Sequence, residues 1–220
     1  MGFTATAGSG QAFRRVPTGV HVARCFGLID LGTQTVEFKG EKKQQHKIQL
    51  QWEVLGEDEA GVEMTNDVNG KEMPLTISKR YTLSLNDKAA LRRDLEAWRG
   101  KPFTADELKA FDVSKLLGAY CMLNIVEQEG GNGKTYSNIQ SITPLPRELA
   151  KHKPAGVHEL RQFDIDAPDM AVFDTMHEKL QEVIRSSAEW QARSAKVVPP
   201  GQAKPADPLP MADMDDDIPF

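Results

Sequence analysis

The chain of 220 residues carries 27 Lys and Arg against 32 Asp and Glu, so its formal net charge is −5. That length suits one core with appendages or two small domains. No apolar run reaches membrane-spanning length and residues 1–17 lack the apolar stretch of a secretory signal, so a cytoplasmic protein without membrane contact is expected. The acidity is uneven. Residues 1–155 hold 21 basic and 19 acidic side chains, net +2, whereas residues 156–220 hold 6 and 13, net −7. The negative total therefore does not exclude a body that binds polyanions. Cys25 and Cys121 lie far apart in apolar, strand-like segments and read as buried reduced thiols.

The first predicted strand covers residues 19–31. Val20, Val22, Phe26 and Leu28 mark one face, Ala23, Cys25 and Ile29 the other, and Gly27 can supply a bend or bulge. A polar, lysine-rich stretch over residues 39–47 reads as a loop. In the second strand Ile48, Leu50, Trp52 and Val54 alternate with Lys47, Gln49, Gln51 and Glu53, the pattern of a strand with one wet face. Residues 57–76 form a long loop or small hairpin turning at Asn69-Gly70. A third strand spans residues 77–85. The helix after it is capped by Asn86, carries Leu91, Leu95 and Trp98 on one face, and stops at Gly100 and Pro102. A further short helix fits residues 105–117. Two more strands, residues 119–127 and 134–143, flank the turn Gly130-Gly131-Asn132-Gly133.

Three strands, a helix and a two-stranded hairpin follow the order of an OB-fold, a five-stranded, partly open barrel with a helix between strands three and four. The expected fold is therefore mainly β. An N-terminal arm occupies residues 1–17 and an OB-fold-like barrel residues 18–146. Residues 147–194 hold a linker and an amphipathic helix, with Phe173, Met176, Leu180, Val183, Ile184 and Trp190 on its apolar face. That face either packs on the barrel or makes a homo-oligomer. Residues 195–210 are a Pro-rich disordered linker.

Single-strand binding needs a positive groove for phosphates and flat surfaces on which bases stack. In an OB-fold the binding face comes from strands two and three with the loops joining strands one to two and four to five. The DNA-binding candidates are thus Phe38, Lys39, Lys42, Lys43 and Lys47 in the first loop, with Arg80 on strand three. Tyr120 on strand four joins them, as do Lys134 and Tyr136 at the exit of the glycine turn. Trp52 and Tyr81 share faces with aliphatic residues and belong to the core. Gly133-Lys134-Thr135 mimics the end of a phosphate-binding loop, but Gln128 stands where that pattern needs glycine and the segment leads into a strand. His21, His46, His152, His158 and His177 show no zinc-ligand spacing. Neither catalysis nor a cofactor is expected.

Residues 211–220 form an acidic tip, Met211-Ala212-Asp213-Met214-Asp215-Asp216-Asp217-Ile218-Pro219-Phe220. Like charges keep the acidic part from folding on itself, while Ile-Pro-Phe offers an apolar hook with a carboxylate at its end. Such a peptide suits a hydrophobic pocket rimmed by Lys or Arg. The tip resembles that of bacterial single-stranded DNA-binding proteins, which typically close with Asp-Asp-Asp-Ile-Pro-Phe. The resemblance implies recruitment of replication, repair and recombination proteins through Asp213, Asp215, Asp216, Asp217, Ile218, Pro219 and Phe220. The body departs from the bacterial housekeeping protein, which points to a bacteriophage-type member that binds single-stranded DNA with little sequence preference. The alternative is an adaptor or decoy that captures host replication proteins through the tip without binding DNA.

Overall fold

The computed structural model describes residues 14–38, 40–131 and 133–197. The chain is mainly β. Its elements are β1 (Gly19–Phe38), β2 (Glu41–Leu55), β3 (Thr65–Val68), β4 (Lys71–Pro74), β5 (Thr76–Thr82), α1 (Ala90–Arg99), α2 (Ala105–Lys109), β6 (Tyr120–Glu129), β7 (Thr135–Pro144), α3 (Arg147–Lys151), β8 (Arg161–Phe163), α4 (Met170–Asp174), α5 (Glu178–Arg185) and α6 (Ala188–Val197). Five strands form an antiparallel path, β5-β2-β1-β6-β7, and β8 adds to β1 in parallel. The sheet is not closed. Helix α1 packs against both outer strands, β5 and β7, and spans the gap between them.

β1 is far longer than the 19–31 strand expected from periodicity, because the lysine-rich stretch expected to be a loop is itself strand. Residues 33–38 and 41–46 pair with each other in register, Thr33 with His46 out to Phe38 with Glu41. Two irregularities interrupt β1, between Cys25 and Gly27 and between Asp30 and Gly32. Each inserts an extra residue and so reverses which side chains face which side of the sheet. As a result Ala23, Cys25 and Leu28 join one core, while Ile29 and Leu31 join another.

The first core lies between the inner face of the sheet and α1. Ile48, Leu50, Trp52, Val54, Ile77, Tyr81, Leu123, Ile125 and Ile142 meet Leu91, Leu95 and Trp98. Trp52 and Tyr81 are core residues, as expected. Buried Asp94 of α1 accepts from the Tyr81 hydroxyl and the Lys79 ammonium, each at 2.9 Å. Trp98 Nε1 donates to Tyr120 O at 2.9 Å. Gly100 ends α1 in the left-handed conformation, but the residue before the first turn is Ala89, not Asn86. Residues 57–76 do contain a hairpin, β3–β4, turned by Asn69 and Gly70 with φ of 56° and 78°. Cys25 and Cys121 are free and buried.

The second core is built by the C-terminal segment folded back on the outside of β1. Phe163, Ile165, Phe173, Met176, Leu180 and Ile184 cover Ile29 and Leu31, with Val172, Val183 and Trp190 at its margin. The single amphipathic helix expected here is three short ones. Asp169 caps α4, its Oδ1 accepting from Ala171 N at 2.9 Å, and His177 Nδ1 caps α5, accepting from Lys179 N at 3.1 Å. Ser187 Oγ donates to Ile184 O at 2.6 Å and accepts from Trp190 N at 3.3 Å. These polar side chains divert backbone groups that a continuous helix would use. Among the described residues no helix is long and apolar enough to cross a membrane.

The same fold-back corrects the expected wet face of β2. Gln49, Gln51 and Glu53 are 6%, 8% and 0% exposed: residues 157–161 contact Gln51 and Glu53, and the Arg80 side chain lies on Gln49. Glu53 accepts from Val157 N at 3.0 Å, His158 N at 2.9 Å and His158 Nδ1 at 3.0 Å, and is paired with the Arg24 guanidinium. Burial alone would raise the Glu53 pKa, but these donors outweigh it and hold the carboxyl down at about 2.

This packing can be tested in two ways. Phe173→Ala should lower stability by about 3–5 kcal/mol in urea denaturation; an unchanged midpoint would mean that the second core does not form. The ordinary Glu53 value is 4.5 and its folded value lies below that. Its contribution is therefore complete above about pH 4.5 and lost as pH falls toward 2. Glu53→Gln should flatten the fall of stability across that window, and equal slopes for the two proteins would contradict the assignment.

Candidate nucleic-acid interface

Beyond Lys47 on β2 and Gly32 on β1, the two strands leave the rest of the sheet. β5 pairs with β2 only as far as Lys47–Thr82, and β6 pairs with β1 only as far as Arg24–Tyr120. The remaining hairpin is an arm. Between residues 37 and 47 its sequence holds four lysines, at 39, 42, 43 and 47, against Glu37 and Glu41. Lys42 and Lys43 are exposed. Lys43 lies 3.3 Å from the Glu41 carboxylate, a solvent-exposed pair that contributes little. Lys42 has no carboxylate partner among the described residues. Phe38 is the last residue of β1, paired with Glu41; Lys39 lies outside the described residues.

The arm is anchored at its root. Gln34, buried, donates from Nε2 to Leu31 O at 2.6 Å and to Val183 O at 3.0 Å. Glu189 of α6 accepts from Thr33 N at 2.8 Å and Thr33 Oγ1 at 2.6 Å. His46 sits between two carboxylates, 2.8 Å from Asp30 Oδ1 and 3.7 Å from Glu189 Oε1. Burial pushes the Asp30 pKa up, with the Gly32 N–H and His46 opposing it. The arm therefore projects from a fixed base.

Toward the body, the outer face of β2 and β5 continues from the arm. Lys47, Gln49 and Gln51 lie beside Thr82, Arg80 and Ser78. Arg80 is exposed, and its Nε donates to Gln49 Oε1 at 3.1 Å. Arg161 of β8 reaches the same face, donating from Nε and Nη2 to Gln51 Oε1 at 3.0 and 2.6 Å. Its guanidinium stands 5.1 Å from the Phe26 ring centroid. Gly27 makes this possible, since a Cβ there would run into the Gln51 side chain. Burial lowers the pKa of both arginines. Sequence reasoning missed Arg161 and the two glutamines. Arg161 lies 110 residues from Gln51, in a stretch with no strand-like alternation, so no local signal places it on the sheet.

The other candidates fall elsewhere. The glycine turn closes through Gly130 N donating to Lys134 O at 2.8 Å, with Gly133 at φ 70°. Lys134 is exposed at its exit, and Tyr136 is half-buried on β7 opposite Gln128. Since Gly19 pairs with Ile125, this turn lies past the start of β1, the end opposite the arm. Tyr120 is half-buried at the start of β6. Its hydroxyl donates to Pro154 O at 2.7 Å, and the Lys153 ammonium stands 4.6 Å from its ring centroid, so this ring already carries a cation on its face. Asp213, Asp215, Asp216, Asp217, Ile218, Pro219 and Phe220 lie outside the described residues.

The structure thus brings Lys42, Lys43, Lys47 and Arg80 onto one continuous element pair, and sets Tyr120, Lys134 and Tyr136 apart from them. No protein-family model matches the chain, and no curated protein is significantly similar to it.

Proposed function

We propose that the chain binds single-stranded DNA with little sequence preference and recruits replication, repair or recombination proteins through its acidic C-terminal tip. The path β5-β2-β1-β6-β7, with a helix between the third and fourth of its strands in the chain, is the strand order of an OB-fold opened between the third and fifth. In that fold the ligand face lies on the second and third strands of the barrel with the loops joining strands one to two and four to five; the first three of these are the parts that come together here. Those positions correspond to β2, β5 and the arm.

The observation that carries the reading is a run of cations along the arm and this face: Lys43 and Lys47 share the face with Arg80, and Lys42 lies on the other side of the arm. Lys42, Lys47 and Arg80 have no carboxylate partner among the described residues, and Lys43 has only an exposed one. In a chain whose total charge is −5, unneutralised cations gathered on a projecting arm are a local polyanion site. Binding there would proceed by counterion release and would weaken as salt rises. The tip is separated from the body in sequence by a proline-rich stretch.

Replacing Lys42, Lys43 and Lys47 together by alanine separates this reading from an adaptor that works through its tip alone. The variant should bind labelled oligo-dT about tenfold or more weakly at low salt, with a shallower dependence on salt. An adaptor would show the same partner capture, and no DNA binding to lose. Unchanged affinity in the variant would remove the arm from the interface.

A further inference from the structure

We propose that Lys47, Arg80 and Arg161 form a row that holds successive phosphodiesters of a single DNA strand, so that the C-terminal cap completes the nucleic-acid face of the sheet. This rests on the single-strand reading above and names the subsite and the groups that build it. Lys47, Gln49 and Gln51 occupy alternate positions on one face of β2, about 7 Å apart by strand geometry. The first position supplies its own cation. Gln49 holds the Arg80 guanidinium through Nε, and Gln51 holds that of Arg161 through Nε and Nη2. A cation therefore stands at each of three consecutive steps along the strand, a repeat that an extended phosphodiester chain can follow.

The chemistry of the two arginines points to a missing anion. Arg24, Arg92 and Arg99 are largely covered, and each pairs with a carboxylate, Glu53, Glu96 and Glu107 respectively. Arg80 and Arg161 have only the neutral amide oxygens of Gln49 and Gln51 and no carboxylate among the described residues. Arg161 is half-buried without a countercharge, which disfavours a cation; Arg80 is exposed and likewise has no countercharge. A phosphate oxygen supplies the absent charge and accepts the remaining N–H groups: both Nη of Arg80 and Nη1 of Arg161. The glutamines fix each guanidinium in direction without quenching it. Glutamate at either position would do the quenching internally.

Gln51→Glu and Gln49→Glu test this, because each supplies an internal carboxylate partner for its arginine with a side chain of the same length. Oligo-dT anisotropy should show a loss of about tenfold for each, and a salt slope shallower by about 0.7 for each phosphate no longer neutralised. Arg161→Gln should weaken binding similarly, and Arg161→Lys should recover part of it. Thermal unfolding of the same samples checks the fold; if a glutamate variant fails to fold, Arg161→Gln against Arg161→Lys carries the test. Unchanged affinity in Gln51→Glu and Arg161→Gln, while the arm-lysine variant still loses binding, overturns the row and leaves the single-strand reading standing. Absence of binding by the unaltered protein overturns both.

Discussion

The alternation of side chains along β1, and its interruption at two places, is the constraint on which the rest of the molecule depends. Along a strand of 20 residues alternate side chains face opposite sides of the sheet, and each extra residue exchanges the two sets. The extra residue at Phe26 reverses the parity set by Ala23 and Cys25, sending Leu28 inward and Ile29 and Leu31 outward; the second, at Leu31, resets it for the arm. Each buried side chain of that size contributes about 1.5–3 kcal/mol, so the outer group is a strong incentive for the C-terminal segment to fold back. That fold-back brings β8 beside Gly27 and the short helices over Ile29. It also ties the root of the arm to α5 and α6.

Covering a sheet face that carries Gln49, Gln51 and Glu53 obliges the covering segment to bring hydrogen-bond partners. An unsatisfied buried polar group costs about 1–3 kcal/mol, and a charged one more. Glu53 receives Arg24, His158 and two backbone N–H groups. Gln51 receives Arg161, and Gln49 receives Arg80. The solution is asymmetric. Around Glu53 the charge is neutralised and the site is structural; around the glutamines positive charge is left over. The cap therefore closes the outer face around Glu53 and leaves positive charge beside Gln51 and Gln49.

Much of the sheet was legible because its strands obey a period of two over several residues. Trp52, Tyr81 and Leu95 declare their faces, and the Asn69-Gly70 and Gly100 signals mark real turns. The arm was not legible because Glu41, Lys42, Lys43 and Gln44 are solvated on every side, and a strand wet on both faces has no alternation to read. The interior position of Gln49, Gln51 and Glu53 was hidden for a different reason. Polar residues at alternate positions look like a wet face unless the segment that covers them is known, and that segment lies more than a hundred residues away. The break of the last amphipathic pattern into three helices turns on His177 and Ser187 capping short turns, a choice that hydrophobic spacing does not record. Of the candidate site, Lys43, Lys47 and Arg80 share one face with Lys42 on the other side of the arm, while Arg161 is visible only in three dimensions.

The central claim is that this face takes single-stranded DNA. It is tested most directly by fluorescence anisotropy of labelled oligo-dT against a duplex of the same length, at two salt concentrations. The account predicts tight binding of the single strand, weak binding of the duplex, and an affinity that falls as salt rises. No binding of the single strand at low salt, by either the full chain or a chain lacking residues 211–220, would contradict it and leave the terminal tip as the functional element.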